Sequence, residues 1–163
     1  MIQVIPVRND EVIILEELAN AIWRECYTTL LGIEQVEYMV KKFQSKDAFV
    51  EQIDSGYEYY FLDVDGAKAG YLGICQEGNK LFLSKLYLKE SFHGMGLAQK
   101  VLKIVVNIAI ERGLDSIYLT VNKGNVKAIR AYERFGFIKT DSIVTDIGNG
   151  FVMDDFVYSY PIK

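Results

Sequence analysis

The amino-acid sequence predicts an α+β fold, with a mixed and mostly antiparallel central sheet of about seven strands flanked by helices. Apolar residues recur at three- and four-residue intervals in the first third of the chain, as they do in amphipathic helices. Short strand-like runs with turn dipeptides follow, and helices then alternate with strands. The 163 residues include only two prolines, both near the ends, and no linker-like stretch. We therefore expect a single domain over residues 1–163.

The first part of the chain is expected to form a short strand, residues 2–7, followed by three helices. The first helix is indicated by apolar residues at helical spacing, namely Val12, Leu15, Leu18, Ala19, Ile22, Trp23 and Cys26. The second is indicated in the same way by Ile33, Val36, Met39, Val40 and Phe43. The third extends from Ser45, whose side chain can cap the first-turn amides, to Gly56, which can end a helix in a left-handed conformation.

Strands dominate the next part of the chain. Residues 57–64 and 67–76 are strand-like and are joined by Asp65-Gly66, a dipeptide suited to a two-residue hairpin turn. A third strand, residues 81–88, follows the turn at residues 77–79. The remaining elements are predicted as helix 96–112, strand 116–121, helix 125–135, and two final strands at about 137–145 and 151–160.

Composition and charge exclude several classes of function. A net charge of −4 is unsuited to non-specific nucleic-acid binding, which requires a basic surface, so no nucleic-acid partner is expected. Cys26 and Cys75 have no metal-binding or disulfide-framework spacing, and His93 is the one histidine, so we predict free buried thiols and no metal site. Residues 2–5 lack a secretory n-region, and no segment reaches the roughly 18 apolar residues of a membrane span. A cytoplasmic protein without a membrane partner is expected.

A glycine-containing loop, residues 93–98, lies between a predicted strand and a predicted helix. The first amides of a helix have no intrahelical acceptor, and the helix dipole adds positive charge there. Gly94 and Gly96 leave the backbone open to a close approach, so the loop suits a diphosphate. It is neither a dinucleotide fingerprint, because Gln99 replaces the third glycine, nor a P-loop. Considered alone, it is also compatible with a simple strand-to-helix turn.

Four sequence runs together resemble the core of the Gcn5-related N-acetyltransferases. They are Leu83–Leu88, His93–Ala98, Val121–Ala128 and Tyr132–Phe137, and the resemblance extends over residues 60–140. It implies an enzyme that transfers an acetyl group from acetyl-CoA, as co-substrate, to a primary amine by direct attack.

The resemblance also assigns roles to particular residues. Main-chain groups of Leu86, Tyr87 and Leu88 would bind the pantetheine arm. The diphosphate would be held by the amides of the loop, namely His93, Gly94, Met95, Gly96, Leu97 and Ala98. Asn125 would bind the pantetheine amides. Tyr132 would be the catalytic general acid beside the thioester sulfur; without the resemblance, it would be interpreted as a packing residue.

The sequence departs from the family pattern at two positions. His93 stands where the family has Gln or Arg, which leaves open whether its side chain contacts phosphate. Ser84 stands where many members have a glutamate that acts as general base, and no acidic residue lies between Leu81 and Leu88. The base is therefore not identified, and Ser84 through water, Tyr118 and Glu25 are the candidates.

The acceptor is expected to be a small cationic amine, similar to a polyamine. The protein is acidic, and strand alternation allows one of Asp154 and Asp155 to face a pocket. Four tyrosines are candidates for the pocket wall, namely Tyr27, Tyr57, Tyr59 and Tyr60.

Two alternative functions remain. One is acetylation of a protein lysine or N-terminus, and the other is a non-catalytic acyl-CoA-binding module. The oligomeric state is open, with a homodimer as one option.

Overall fold

The computed structural model describes residues 1–162, in which seven strands and five α-helices are present. The elements are β1 (Ile2–Pro6), α1 (Val12–Leu31), α2 (Ile33–Phe43), α3 (Lys46–Asp54), β2 (Tyr57–Val64), β3 (Ala67–Glu77), β4 (Lys80–Leu88), α4 (Leu97–Glu111), β5 (Ser116–Asn122), α5 (Val126–Phe135), β6 (Ile138–Gly148) and β7 (Phe151–Pro161). Among these helices, none combines the length and the apolar character needed to cross a membrane. The order of the elements is the predicted one, and the α+β class is confirmed.

All seven strands form one sheet in the order β1-β2-β3-β4-β5-β7-β6. Neighbouring strands are antiparallel except β4 and β5, which are parallel, so the predicted mixed and mostly antiparallel sheet is confirmed. The parallel contact is short and ends at the pair Phe82 and Tyr118. Beyond this pair β4 and β5 separate, and the functional site lies at this separation.

Helices cover both faces of the sheet. α4 packs on one face, where Val105 of the helix and Leu72 of β3 are fully buried. α1 and α3 pack on the opposite face, where Leu15, Phe49 and Tyr71 are fully buried. Because both faces of β3 are covered, residues 69–75 are buried without interruption and their sequence does not alternate between apolar and polar residues.

Local sequence signals act where they were predicted. Asp65 and Gly66 have φ angles of 52° and 89°, the left-handed pair that a two-residue hairpin turn requires. The hydroxyl of Ser45 accepts a hydrogen bond from the amide of Ala48 at 3.2 Å, which confirms the predicted cap of α3.

Two predicted features differ in detail from the structure. α1 continues five residues beyond the apolar pattern that ends at Cys26 and stops at Leu31, before Gly32. β6 is longer than predicted because its pairing with β7 continues to Gly148. Both cysteines are free thiols as expected, but only Cys75 is buried, whereas Cys26 is partly exposed.

Candidate functional site

The separation of β4 from β5 is the first feature of the site. Beyond Phe82, β4 remains paired with β3, and beyond Tyr118, β5 remains paired with β7. The register of β3 against β4 shifts at Gly73 and Ile74, where Ser84 is the additional residue of a β-bulge. The main chain of β4 after this bulge therefore borders an open cleft. An extended ligand can pair with such an edge as a further strand would.

Leu86, Tyr87 and Leu88 lie along this open edge of β4. Two of their carbonyl oxygens lie in close contact with other parts of the protein. The Leu88 oxygen accepts a hydrogen bond from the His93 ring at 2.9 Å. The Tyr87 oxygen lies so close to Gly70 that a Cβ there would collide with it. A ligand in the cleft would therefore use the other main-chain groups of this stretch.

The glycine loop lies at the start of α4, as predicted. Gly96 is the N-cap residue and adopts a left-handed conformation, with φ 71° and ψ 14°. The amide of His93, which was predicted to bind the diphosphate, instead donates to the carbonyl of Glu90 at 3.0 Å. Within residues 1–162, the amides of residues 94–99 donate to no acceptor, and the amide of Lys100 is the first that bonds back, to Gly96. These free amides at the positive end of a 15-residue helix suit a bound anion. Gly94, Met95 and Gly96 are exposed, so an anion in solution can reach them.

The His93 side chain does not extend freely from the loop. Its Nε2 lies 2.9 Å from the carbonyl oxygen of Leu88, and its Nδ1 lies 3.1 Å from Nζ of Lys127. A carbonyl oxygen can only accept, so Nε2 carries the proton and Nδ1 accepts from the Lys127 ammonium. The ring therefore ties the loop to the end of β4 and the beginning of α5. Lys127 is the cation that this arrangement brings to the loop, and no sequence pattern marked it as a site residue.

A pocket occupies the gap between the two separated strands. Its lining from β4 and β5 comprises Leu83, Ser84, Leu86, Tyr87, Thr120, Val121 and Asn122. Residues of α1, α2, β7, α5 and the cap of α5 complete the lining, namely Trp23, Tyr27, Leu31, Gln35, Met39, Met153, Asp155, Asn125, Ala128 and Tyr132. Of the predicted site residues, Leu86, Tyr87, Asn125 and Tyr132 thus share one pocket. Leu88 and the loop residues 93–98 are outside its lining.

Tyr132 lies on α5 and faces this pocket. Its ring is held edge-on against Phe137, with ring centroids 5.7 Å apart. Its hydroxyl has no hydrogen-bond partner among residues 1–162 and is therefore available to a ligand. Burial raises the pKa of Tyr132 to about 12, so the phenol keeps its proton at neutral pH and can act as a donor.

Asn125 caps α5 and is held from two sides. Its Oδ1 accepts from the amide of Ala128 at 3.3 Å, and its Nδ2 donates to the hydroxyl of Tyr27 at 3.3 Å. Tyr27 in turn packs against Trp23, with ring centroids 4.5 Å apart, and against Tyr87 at 5.8 Å. The pocket therefore has an aromatic wall, whose ring faces can attract a cation.

Asp155 is the acidic side chain in the pocket lining, within the described residues 1–162. It lies on β7 opposite Asn122 of β5 and is only 3% exposed. Its Oδ1 is buried and has no hydrogen-bond partner. Burial, together with the neighbouring Asp154 and against the opposing effect of Lys123, raises the pKa of Asp155 to about 6. Asp154 is exposed and pairs with Lys123 at 2.8 Å, so the prediction that only one of the two carboxylates faces a pocket agrees with the structure.

The three candidates for the general base have different positions. Ser84 lines the pocket. Tyr118 stacks on Phe82 at 4.8 Å and donates to Glu77, away from the pocket lining. Glu25 accepts from the amide of Glu90 at 3.1 Å and is also outside the lining. Only Ser84 therefore has a position that allows it to act on a ligand in the pocket.

Three of the four tyrosines expected at the pocket wall lie elsewhere, because the strand that carries them is separated from the gap by two strands of the sheet order. Tyr27 lines the pocket, whereas Tyr57, Tyr59 and Tyr60 of β2 do not. Tyr59 instead packs edge-on against Phe49 at 5.0 Å.

Lys85, next to Ser84, is a buried charged residue to which no sequence pattern assigned a role. Its ammonium donates to the hydroxyl of Tyr59 at 2.7 Å and to Oε1 of Gln52 at 3.0 Å. Burial lowers the pKa of Lys85 to about 7. Its ammonium also donates to the hydroxyl of Ser84 at 3.4 Å, because simple strand alternation is interrupted at the β-bulge. Lys85 is therefore held mainly by the core under α3 and also contacts one residue of the pocket lining.

The sheet that splits between two parallel strands, with a helix start suited to an anion beside the split, is the acyl-CoA N-acyltransferase fold. The sequence pattern of the acetyltransferase (GNAT) family matches residues 15–137, and the chain therefore belongs to this family. The predicted family resemblance is confirmed.

Curated relatives match only part of the chain. A spermine/spermidine N(1)-acetyltransferase of Bacillus subtilis is 36% identical over 84 residues, which are 48% of this chain and 55% of that protein. A thialysine N-epsilon-acetyltransferase of Sus scrofa is 30% identical over 59 residues, 36% of this chain and 35% of that protein. The chain thus spans about half the length, or less, of these relatives.

Solved structures match the whole chain at low sequence identity. The PaiA N-acetyltransferase of Thermoplasma acidophilum, solved in complex with coenzyme A, has a TM-score of 0.82 at 20% identity and covers 99% of both chains. An acetyltransferase of Thermus thermophilus has a TM-score of 0.70 at 22% identity, over 99% of this chain and 97% of the other. At these identities the likeness establishes the fold alone.

Proposed function

We propose that the protein transfers an acetyl group from acetyl-CoA to the primary amine of a small cationic molecule. The observation that carries this proposal is the combination of three features: free amides at the start of α4, the open edge of β4, and a pocket that contains Tyr132 and Asp155. The first two features suit the diphosphate and the arm of a CoA thioester, and the third suits an amine.

Acetyl-CoA would be held by the amides of residues 94–99, by main-chain groups of residues 86–88 and by Asn125. Bound there, it supplies an acetyl group activated as a thioester. Six free amides and the positive end of α4 match the charge of a diphosphate, and Lys127 adds a cation beside the loop. The His93 ring contributes by fixing the loop to β4, because both of its nitrogens are already engaged.

Tyr132 is proposed as the general acid. Its hydroxyl would donate a hydrogen bond to the thioester sulfur and pass its proton to the departing thiolate. A phenol with a raised pKa of about 12 remains protonated until that moment. The packing of its ring against Phe137 limits rotation of the ring and so fixes the position of the hydroxyl oxygen.

The substrate class follows from the pocket. A buried carboxylate oxygen without a partner and an aromatic wall both favour a cation. The spermine/spermidine acetyltransferase among the relatives supports a polyamine-like amine. An open peptide groove is disfavoured because α2 is tied to the β6–β7 hairpin. Gln35 donates to the carbonyl of Val152 at 3.1 Å, and Tyr38 and Lys42 both donate to the carbonyl of Ile147 at 2.5 Å.

A thiol-release assay with an amine panel tests this proposal. Spermidine, a simple alkylamine, a neutral amino-acid amide and a peptide N-terminus are compared at equal concentration in saturating acetyl-CoA. We expect the highest kcat/KM with spermidine, and we expect its advantage over the amide to shrink as added salt screens the charges. Fastest reaction with a peptide or a neutral amine would refute the substrate class. Tight acetyl-CoA binding without thiol release for any amine would instead support a non-catalytic module.

A further inference from the structure

Asp155 combines three properties that its structural surroundings do not explain. It is 3% exposed, its Oδ1 has no hydrogen-bond partner, and it lines the pocket that contains Tyr132. Burying a carboxylate without a partner destabilises a fold, so such groups are uncommon outside functional sites. The nearby cation does not compensate, because Nζ of Lys123 pairs with Asp154 on the opposite face of β7.

We propose that Asp155 is the proton acceptor that deprotonates the substrate ammonium, in place of the glutamate that β4 lacks. This inference rests on the proposed function. A cationic amine in the pocket would donate to the free carboxylate oxygen, which both holds the ammonium and receives its proton. Ser84, at the position of the missing glutamate, then needs no role beyond lining the pocket.

One ammonium proton moves to Asp155, and the nitrogen lone pair forms the new N–C bond with the thioester carbonyl carbon. The C–S bond breaks, its electron pair stays on sulfur, and sulfur takes the proton of Tyr132. The second proton lost from nitrogen restores the phenol of Tyr132. Asp155 releases its proton to solvent when the amide leaves, so the net products are an amide, a thiol and one proton.

The charges around Asp155 are consistent with this role. Burial and Asp154 raise the pKa of Asp155 to about 6, and Lys123 opposes them, so the group is ionised at neutral pH and more basic than an exposed aspartate. Gln35 and Met39 of α2, and Asn122 of β5, face the same pocket without formal charge. Tyr27 and Tyr132 are neutral there because burial raises the pKa of each phenol.

The test compares Asp155→Asn with the wild-type protein, using spermidine or the fastest amine of the panel. Asparagine has the same shape but cannot accept the proton at neutral pH. We expect kcat at pH 7 to fall by about 10²-fold or more.

The pH profiles of the two proteins should also differ. The wild-type rate should reach a plateau above pH 6. The rate of the variant should keep rising about tenfold per pH unit, because it depends on the small fraction of free amine. A primary amine whose pKa is lowered by neighbouring fluorine atoms should lose much less rate in the variant.

Asp154→Asn is the matched control, because it removes a neighbouring carboxylate on the exposed face. It should retain the wild-type rate at pH 7 and still reach a plateau, which should begin at a lower pH because Asp154 no longer raises the pKa of Asp155. Folding of Asp155→Asn is checked by thermal unfolding and by acetyl-CoA affinity, both expected to be unimpaired. Equal rates for Asp155→Asn and wild type overturn the assignment but leave the proposed function standing. A loss that is the same at every pH and for both amines also overturns it, because it indicates an anchoring or structural role. If the wild-type protein acetylates no amine, the proposed function itself fails and this inference fails with it.

Discussion

The imidazole of His93 donates to the main-chain oxygen of Leu88 at 2.9 Å, which links the first residue of the glycine loop to the last residue of β4. Its other nitrogen accepts from Lys127, which lies in the first turn of α5. A family position usually occupied by Gln or Arg is thus used here to connect three elements that meet at the cleft.

This geometry predicts a small effect for His93→Ala. Because the ring is engaged within the protein, its loss should weaken acetyl-CoA binding by less than about 1.4 kcal/mol, which is less than tenfold in Kd. Isothermal titration calorimetry measures the change. A larger loss, with the protein folded, would indicate that the ring itself contacts the diphosphate.

A stronger effect is predicted for Gly96→Asp. The substitution places a negative charge at the N-cap of α4, against the anion that the free amides would bind. We expect acetyl-CoA affinity to fall by at least about 1.4 kcal/mol, or tenfold. Gly96→Asn is the matched control, since it introduces the same backbone strain at φ 71° and nearly the same shape without the charge. Equal affinities of the two variants for acetyl-CoA would refute the electrostatic explanation.

Replacing Tyr132 with phenylalanine removes only the hydroxyl and keeps the ring contact with Phe137. We expect kcat to fall by about 10²-fold, the usual range for a positioned acid, while acetyl-CoA affinity changes little. Tyr118→Phe is the control, because this tyrosine donates to Glu77 outside the pocket. Normal turnover combined with a lower Tm would show that Tyr132 is a packing residue.

The buried Lys85 predicts a pH-dependent stability. Its folded-state pKa of about 7 lies below its unfolded value, so the protonated form disfavours folding. The stability lost to this group is therefore largest at and below pH 7 and is recovered as the pH rises toward 10. Lys85→Met removes the titration. We expect the difference in unfolding free energy between variant and wild type to change by about 1 kcal/mol or more between pH 6 and pH 10. A constant difference across this range would contradict the prediction.

The sequence predicted most helices, strands and turns because the residues that mark them act on nearby backbone groups. Ser45 capped its helix, and Asp65-Gly66 formed its turn, since both depend only on nearby backbone groups. The glycine loop was identified for the same reason. The pocket depends instead on the strand order, which brings Asp155 of β7 and Tyr132 of α5 to one gap. Strand alternation predicted that at most one of the two aspartates would face a pocket, and it could not tell which one.

Other features of the site could not be predicted from the sequence. Nothing in the sequence distinguishes the three tyrosines of β2 from Tyr27 as candidates for the pocket wall. Only the order of strands in the sheet shows that they lie away from the pocket. The burial of Lys85 also leaves no mark in the sequence, because a lysine in an alternating strand normally faces solvent. The partners that tolerate it, Tyr59 and Gln52, come from two distant elements.

The most direct test of the account follows an isotopically labelled acetyl group from acetyl-CoA in the presence of spermidine, with mass spectrometry of both products over time. We expect labelled N-acetylated spermidine from the wild-type protein, formed at the same rate as free thiol. Tyr132→Phe should form it much more slowly while still binding acetyl-CoA. Thiol release without a labelled amide, or an equal rate of amide formation in the variant, would contradict acetyl transfer to an amine in the pocket of Tyr132.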